Sequence, residues 1–188
     1  MAAFDFDAAR RWARFDPRTT LARRSTGELP FVDVAPIGGQ GLLLDTCVYI
    51  HQMQDRSPQV LDDLIAQRQV NHSIIAIQEL MHTIGVLNPS DPRTAGVVAE
   101  IGKQIKAMPP HRIFAPDMDI LGRAALLSGI LCRLQGYEKD GRLRALQDCI
   151  LFLQAQKLGL VVLTANVSDY DILLQLIPAG RALFYRRR

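Results

Sequence analysis

Four acidic residues of this chain stand where an isolated carboxylate is costly. Asp45 closes the apolar run Gly41-Leu42-Leu43-Leu44, and Asp148 is embedded in Leu146-Gln147-Asp148-Cys149-Ile150-Leu151-Phe152. Asp169 follows the run Leu160-Val161-Val162-Leu163 by six residues, and Glu79 is the lone acid of the helical stretch after Ser73. A buried charge needs a positive partner or a metal. Several carboxylates together offer the hard oxygen seat that Mg²⁺ or Mn²⁺ prefers. Such an ion activates water and neutralises charge on a phosphoryl group, and two ions serve both the attacking and the leaving oxygen. Metal-assisted attack on phosphate is the chemistry this set points to. Thr164 and Asn166, directly after the last apolar run, are placed to hold a water, an acid or a phosphate oxygen. Each acid also has a plainer reading: Asp45 as a helix N-cap, Asp148 and Asp169 as first-turn acids suited to the helix dipole, Glu79 as a solvated helix acid. Their arrival on one rim is what argues for a site.

The apolar patterning supplies that rim. Leu42–Leu44, Val70–His72, Arg112–Phe114 and Leu160–Leu163 read as short strands, with Ala182–Tyr185 as an edge strand. Between them lie helical segments. One starts at about Thr46, and one runs from an N-cap at Ser57 with Pro58 in the first turn to Gln67. Ile74 to Ile84 places Ile77, Leu80, Met81 and Ile84 on one face. Asp91-Pro92 opens a segment to Ala107, Asp117 caps one to Gln135, Leu143 to Lys157 forms another, and Ser168 caps the last, to Leu176. The polar stretch Gly136–Arg142 reads as the one clear internal loop. Strands alternating with helical crossovers specify an α/β fold with a parallel sheet, and such sheets place their sites at the strands' carboxyl ends. All four acids map there, with Asp148 near the start of its helix.

Residues 1–40 differ from the rest. Arg10, Arg11, Arg14, Arg18, Arg23 and Arg24 crowd this region, Ala8 to Phe15 suits a short helix with Trp12 on its apolar face, and Pro17, Pro30, Pro36 and Gly38-Gly39 then interrupt the pattern. We read 1–40 as a basic, partly ordered N-terminal arm that packs on the domain or on a neighbour, and 41–188 as one domain. A net charge of +3 excludes a histone-like binder, while the arginines, including Arg186-Arg187-Arg188, suit phosphate contacts. Arg133, Lys139, Arg142 and Arg144, around Gln135–Arg144, are further candidates. No apolar run approaches the roughly 20 residues of a membrane helix, and the charged start lacks a signal core, so the expected location is cytoplasmic. Cys47, Cys132 and Cys149 have no ligand spacing and read as reduced thiols. The histidines show none either, although His51 follows Asp45 closely enough to line a substrate path. Tyr49, Tyr137 and Tyr170 are candidates for base stacking, with core packing the plainer reading.

Leu43-Leu44-Asp45-Thr46-Cys47-Val48-Tyr49-Ile50 resembles the opening strand and turn of the PIN domain family. Ser73 followed by Glu79-Leu80 resembles its second motif. Asp148-Cys149-Ile150-Leu151, then Gly159-Leu160-Val161-Val162-Leu163-Thr164-Ala165-Asn166 with Asp169-Tyr170, resemble its third and fourth. The resemblance covers about residues 41–185, and the subgroup it points to is the VapC-type toxins of bacterial toxin–antitoxin pairs. It implies a three-layer α/β/α fold with a four- to five-stranded, mainly parallel sheet. It also implies a ribonuclease dependent on one or two Mg²⁺ or Mn²⁺ ions, usually homodimeric, cutting structured RNA and held off by a small antitoxin. By motif position Asp45, Glu79 and Asp148 would be the core acids. Some members carry an acid where this chain has Asn166 and others use the position of Asp169; our reading takes Asp169 as ligand or water-positioner, with Thr164 and Asn166 as orienting groups.

Two departures stand out. Ala76 replaces a threonine often found three residues before the second-motif glutamate, which removes a hydrogen bond near the site. The arm before Asp45 is atypical, since these toxins usually begin almost at the first strand. The alternative function is a non-cleaving nucleic-acid-binding or regulatory module on the same fold, against which the intact acid set argues. A phosphotransferase of the haloacid-dehalogenase type would use Asp45 as nucleophile but wants a second acid two residues on, where this chain has Cys47.

Overall fold

The apolar triplets of this sequence form strands of two to four residues, and a computed structural model, which describes residues 3–36 and 38–188, shows how they assemble. The chain opens with α1 (Phe6–Arg10), where Asp5 accepts from the Ala8 N–H, and tightens into a 3-10 turn over Arg11–Phe15. There follow β1 (Leu42–Leu44), α2 (Thr46–Met53), α3 (Gln59–Gln67), β2 (Val70–Ser73), α4 (Ile74–Val86) and α5 (Thr94–Lys106). The second half comprises β3 (Ile113–Phe114), α6 (Met118–Gln135), α7 (Lys139–Leu158), β4 (Val161–Thr164), α8 (Val167–Leu176) and β5 (Ala182–Phe184). The strands form one parallel sheet in the order β3-β2-β1-β4-β5. Helices cover both faces, so the architecture is three-layer α/β/α, as expected.

Alternation along the strands divides the core. Leu43, Val162 and Phe184 point to one face, where they pack with Ala124, Leu127, Cys149, Phe152 and Tyr170 of α6, α7 and α8. Leu42, Leu44, Val161 and Leu163 point to the other, against Val48, Leu61, Leu64, Leu80 and Ile101 of α2 to α5. A buried polar link crosses between layers. Ser73 Oγ accepts from the Ile75 N–H (3.1 Å) at the start of α4 and donates to Gln154 Oε1 (2.6 Å), while Gln154 Nε2 donates to the Phe114 carbonyl (3.0 Å). One α7 side chain thus satisfies groups from β2 and β3, which would otherwise be costly to bury.

Several expected boundaries shift. Pro58, not Ser57, holds the N-cap position of α3, and the buried Ser57 hydroxyl caps nothing. Asp91 folds back on Arg93, so α5 starts only at Thr94. α7 begins at Lys139, so the expected loop Gly136–Arg142 shrinks to three residues, beginning with the left-handed Gly136 (φ 67°). Asp148 is therefore mid-helix rather than near a helix start. α8 is capped by Asn166 rather than Ser168.

The N-terminal arm wraps the domain. α1 and the turn after it lie on α6, and Arg123 stacks over Trp12 at 5.0 Å. Thr20 Oγ1 donates to the Leu134 carbonyl (2.7 Å), and Arg24 pairs with the fully buried Asp171 of α8 at 2.6 Å. Phe31 then bridges to Phe184 in parallel, extending the sheet beyond β5.

Gly180 precedes β5 under the Phe152 ring, and a Cβ added there would lie 2.1 Å from a Phe152 ring carbon. Gly180→Ala is expected to destabilise by about 1–3 kcal/mol through overpacking. Thermal denaturation checks it; an unchanged melting temperature would show that the buried ring moves aside freely.

Candidate active site

The four acids reach one region from a strand end and three helices. Asp45 ends β1 and occupies the N-cap position of α2, yet its side chain does not cap. Its Oδ2 instead accepts from Thr164 Oγ1 (2.5 Å) at the end of β4 and from Cys47 Sγ (3.2 Å). Glu79 lies in the second turn of α4 and accepts from the Thr46 hydroxyl. Asp148 projects from the middle of α7. Asp169 sits in the first turn of α8 and accepts from the Tyr137 hydroxyl.

Asn166 joins these groups. Its Nδ2 donates to Asp148 Oδ2 (3.0 Å) and Asp169 Oδ2 (2.9 Å), and its Oδ1 accepts from the Asp169 N–H (3.3 Å), which starts α8. Its own N–H donates to Thr164 Oγ1 (2.9 Å), the hydroxyl that holds Asp45. One chain of hydrogen bonds therefore runs from Asp45 through Thr164 and Asn166 to Asp148, Asp169 and Tyr137. Glu79 joins it indirectly, through Thr46 beside Asp45.

Two of the acids are buried and two, Glu79 and Asp169, are half-buried. Asp45 and Asp148 are 7% and 6% exposed, and among the described residues none of the four makes an ion pair. Burial raises Asp148 well above the usual carboxylate range, and the charges of Asp45, Asp169 and Glu79 add to the rise. Burial also raises Asp45, against the hydrogen bonds from Thr164 and Cys47. Glu79 is pushed up to about 7 by burial, opposed by the Thr46 hydrogen bond and assisted by the charge of Asp45. Mutual repulsion among desolvated carboxylates is a cost that a cation would relieve.

The donor set suits a hard divalent ion in kind, being carboxylate oxygen throughout. Among the described residues no three Asp, Glu, His or Cys groups converge into a preformed ligand cluster. Mg²⁺ does not require one, since it commonly binds through one or two carboxylates and keeps several waters. The residues present therefore fit such an ion.

Sequence reasoning missed the roles of Thr46 and Cys47, and it read Tyr137 as a candidate for base stacking where its hydroxyl holds Asp169. Thr46 supplies Glu79 with a hydroxyl partner from another helix, where Ala76 has none, and that missing hydroxyl was the available signal. Cys47 Sγ donates to Asp45 and accepts from the Ala165 N–H (3.3 Å). Tyr49 and Tyr170 are fully buried, and Tyr49 hydrogen-bonds His72 (2.7 Å), so packing is their role. Of the basic cluster near the α6–α7 turn, Arg133 pairs with Asp16 of the arm. The positive charge of Arg144 reaches Glu79.

The sheet order, the two helical layers and the strand-end site define a PIN-like α/β/α fold. Solved structures share it. VapBC2 from Rickettsia felis, bound to a DNA fragment from its promoter, matches with a TM-score of 0.54 at 10% identity, over 78% of this chain and 99% of that chain. FitAcB from Neisseria gonorrhoeae matches with a TM-score of 0.52 at 21% identity, over 77% and 96%. VapBC-5 from Mycobacterium tuberculosis, of the VapBC family of toxin–antitoxin systems, matches with 0.50 at 17%, over 78% and 100%. At these identities the likeness is one of fold. No protein-family model and no curated protein matches the chain. Among the described residues no helix is long and apolar enough to cross a membrane.

Proposed function

We propose that this chain is a Mg²⁺- or Mn²⁺-dependent endoribonuclease, the toxin of a toxin–antitoxin pair, acting in the cytoplasm as a homodimer restrained by a small antitoxin. The observation that carries the nuclease reading is the set of four carboxylates, Asp45 and Asp148 buried and all free of ion pairs among the described residues, at the strand ends of a PIN-like sheet. The toxin and antitoxin assignment is supported by the solved neighbours, which are VapBC and FitAB proteins.

Asp45, Glu79, Asp148 and Asp169 would hold one or two ions. When bound, such an ion supplies Lewis-acid stabilisation of the charge developing on a scissile phosphate and a water nucleophile at neutral pH. The chain's own groups then hold geometry. Thr164 fixes one oxygen of Asp45, leaving the other as a lone-pair ligand for the ion. Asn166 spaces Asp148 from Asp169 and cannot itself carry the charge of an acid. Tyr137 and Thr46 orient Asp169 and Glu79. Burial of Asp45 and Asp148 excludes water that would otherwise screen these charges.

The test is cleavage of total RNA by purified protein freed of any antitoxin, with Mg²⁺, Mn²⁺ or EDTA, beside Asp148→Ala. Discrete fragments that require metal are expected. Their yield should fall in the variant by more than the roughly 10- to 100-fold typical of groups one step removed from a metal. Equal cleavage by wild type and variant would sink the proposal. RNA binding without cleavage, in a folded protein that binds metal, would instead identify a non-cleaving module.

A further inference from the structure

Tyr170 follows Asp169 in α8, and its side chain is fully buried. Packing accounts for its ring, which meets Phe152 edge to face at a centroid distance of 6.1 Å. It does not account for the oxygen. The Tyr170 hydroxyl is enclosed and has no hydrogen-bond partner among the described residues. A buried hydroxyl left in that state is costly, and a ring held in the core cannot carry it out to solvent.

The neighbours of the ring place that oxygen beside the acids. Tyr170 packs in the cluster that holds Leu43 of β1 and Val162 of β4. Side chains two residues apart along a strand share a face, so Asp45 and Thr164 continue this one, joined by their 2.5 Å hydrogen bond. Phe152, which the Tyr170 ring touches, lies four residues after Asp148 on α7 and so one turn along the same helix face. Burial first, and then the charges of Asp45 and Asp148, hold the hydroxyl protonated well above its usual range. It is a donor that lacks an acceptor, and the nearest excess of acceptors is this pair of carboxylates.

We propose that Tyr170 is a further positioning residue of the site: its hydroxyl donates to one bound water that Asp45 and Asp148 share, and the ion retains that water as a ligand. The inference rests on the metal-dependent reading and deepens it by naming a group that acts on the ion from behind the acids. Neither carboxylate accepts from the hydroxyl directly, and each is already fixed through one oxygen, Asp45 by Thr164 and Asp148 by Asn166. A water joining the three has about the number of polar partners that a buried water takes. Mg²⁺ keeps several waters when it binds carboxylates, and groups that orient such ligands tune the affinity of the site.

Tyr170→Phe removes this one oxygen and keeps the ring, so melting in EDTA and titration calorimetry with Mn²⁺ test the assignment without cleavage. The metal-free melting temperature should fall by about 2–4 °C, the loss of one hydrogen bond at this chain length. Mn²⁺ affinity should fall by about 10- to 100-fold. Tyr49→Phe is the control: its hydroxyl bonds His72 at 2.7 Å, so that variant should melt lower yet bind Mn²⁺ as the wild type does. A hydroxyl that has no partner gives the opposite sign, because its removal lifts a penalty. An unchanged or raised melting temperature in Tyr170→Phe would therefore overturn the shared water, and wild-type Mn²⁺ affinity would overturn the positioning role. Either result in a protein that binds Mn²⁺ and cuts RNA leaves the nuclease reading standing. The expected fall in melting temperature, in a chain that binds no Mn²⁺, would keep the water and sink the nuclease reading, so the two fail separately.

Discussion

Asp148→Asn is expected to abolish metal-dependent cleavage and, in the same protein, to raise the melting temperature of the metal-free chain. The first effect follows from losing the most buried anionic donor. The second follows from electrostatics. Burial raises the pKa values of Asp148, Asp45 and Glu79, and the charge of Asp45 raises Asp148 and Glu79 further. In the folded chain they therefore hold protons at pH values where the unfolded chain has released them. Stability from this source is complete below the unfolded values near 4 and is lost as pH rises toward the folded values, about 7 for Glu79. The metal-free melting temperature should fall between about pH 5 and 8. Mn²⁺ should restore more of it at the higher pH, because binding requires the deprotonated acids.

Asparagine keeps an acceptor for Asn166 Nδ2 while removing the charge that repels Asp45, Asp169 and Glu79. Relieving such a site commonly gains about 0.5–2 kcal/mol, or ~2–4 °C per kcal/mol at this chain length. The variant should also show a flatter dependence on pH and a smaller response to Mn²⁺. A lower metal-free melting temperature in Asp148→Asn at pH 8 would mean that the acid is stabilising as it stands and would count against a cation seat.

Arg24→Ala should produce the largest loss of stability. Asp171 has no exposed side-chain surface and accepts from Arg24 Nε (2.6 Å), the Arg24 N–H (2.8 Å) and Gln175 Nε2 (3.3 Å). Removing the guanidinium leaves a buried carboxylate whose charge has lost its partner, which typically costs about 3–5 kcal/mol. Arg24 is 32% exposed, so the lower end applies. The arm then loses its grip on α8 between Thr20 and Phe31. Arg24→Ala/Asp171→Asn should recover part of the stability, because no buried charge remains. Thermal melts of the two variants check this; a negligible loss in Arg24→Ala would show that the arm is held by its apolar residues instead.

Much of this arrangement was legible in the sequence because it is local. Apolar runs ending at Asp45 and Thr164 read as buried strands delivering polar groups at their ends, and Asp117 read correctly as a helix cap, since a cap needs only its own next turn. Where two cap-type residues stood together, as with Asn166 and Ser168, local chemistry did not choose between them; the contacts of Asn166 with Asp148 and Thr164 fix it at the end of β4. The first turn of α7 was hidden because Gly141 and a polar run weaken its helical pattern, while α6, packed along it, holds the helix in place.

The tertiary structure alone decided the partners of the acids. Thr46 meets Glu79 across 33 residues of sequence, Tyr137 meets Asp169 across 32, and Ser73 meets Gln154 across 81. The arm's path was equally illegible: its prolines announced the absence of regular structure, not the site of docking. Strand, turn and cap depend on neighbours a few residues away, so residue type and spacing specify them. A hydrogen bond between helices, or a strap laid across a sheet edge, depends on which surfaces the packed layers bring together, and no local pattern records that.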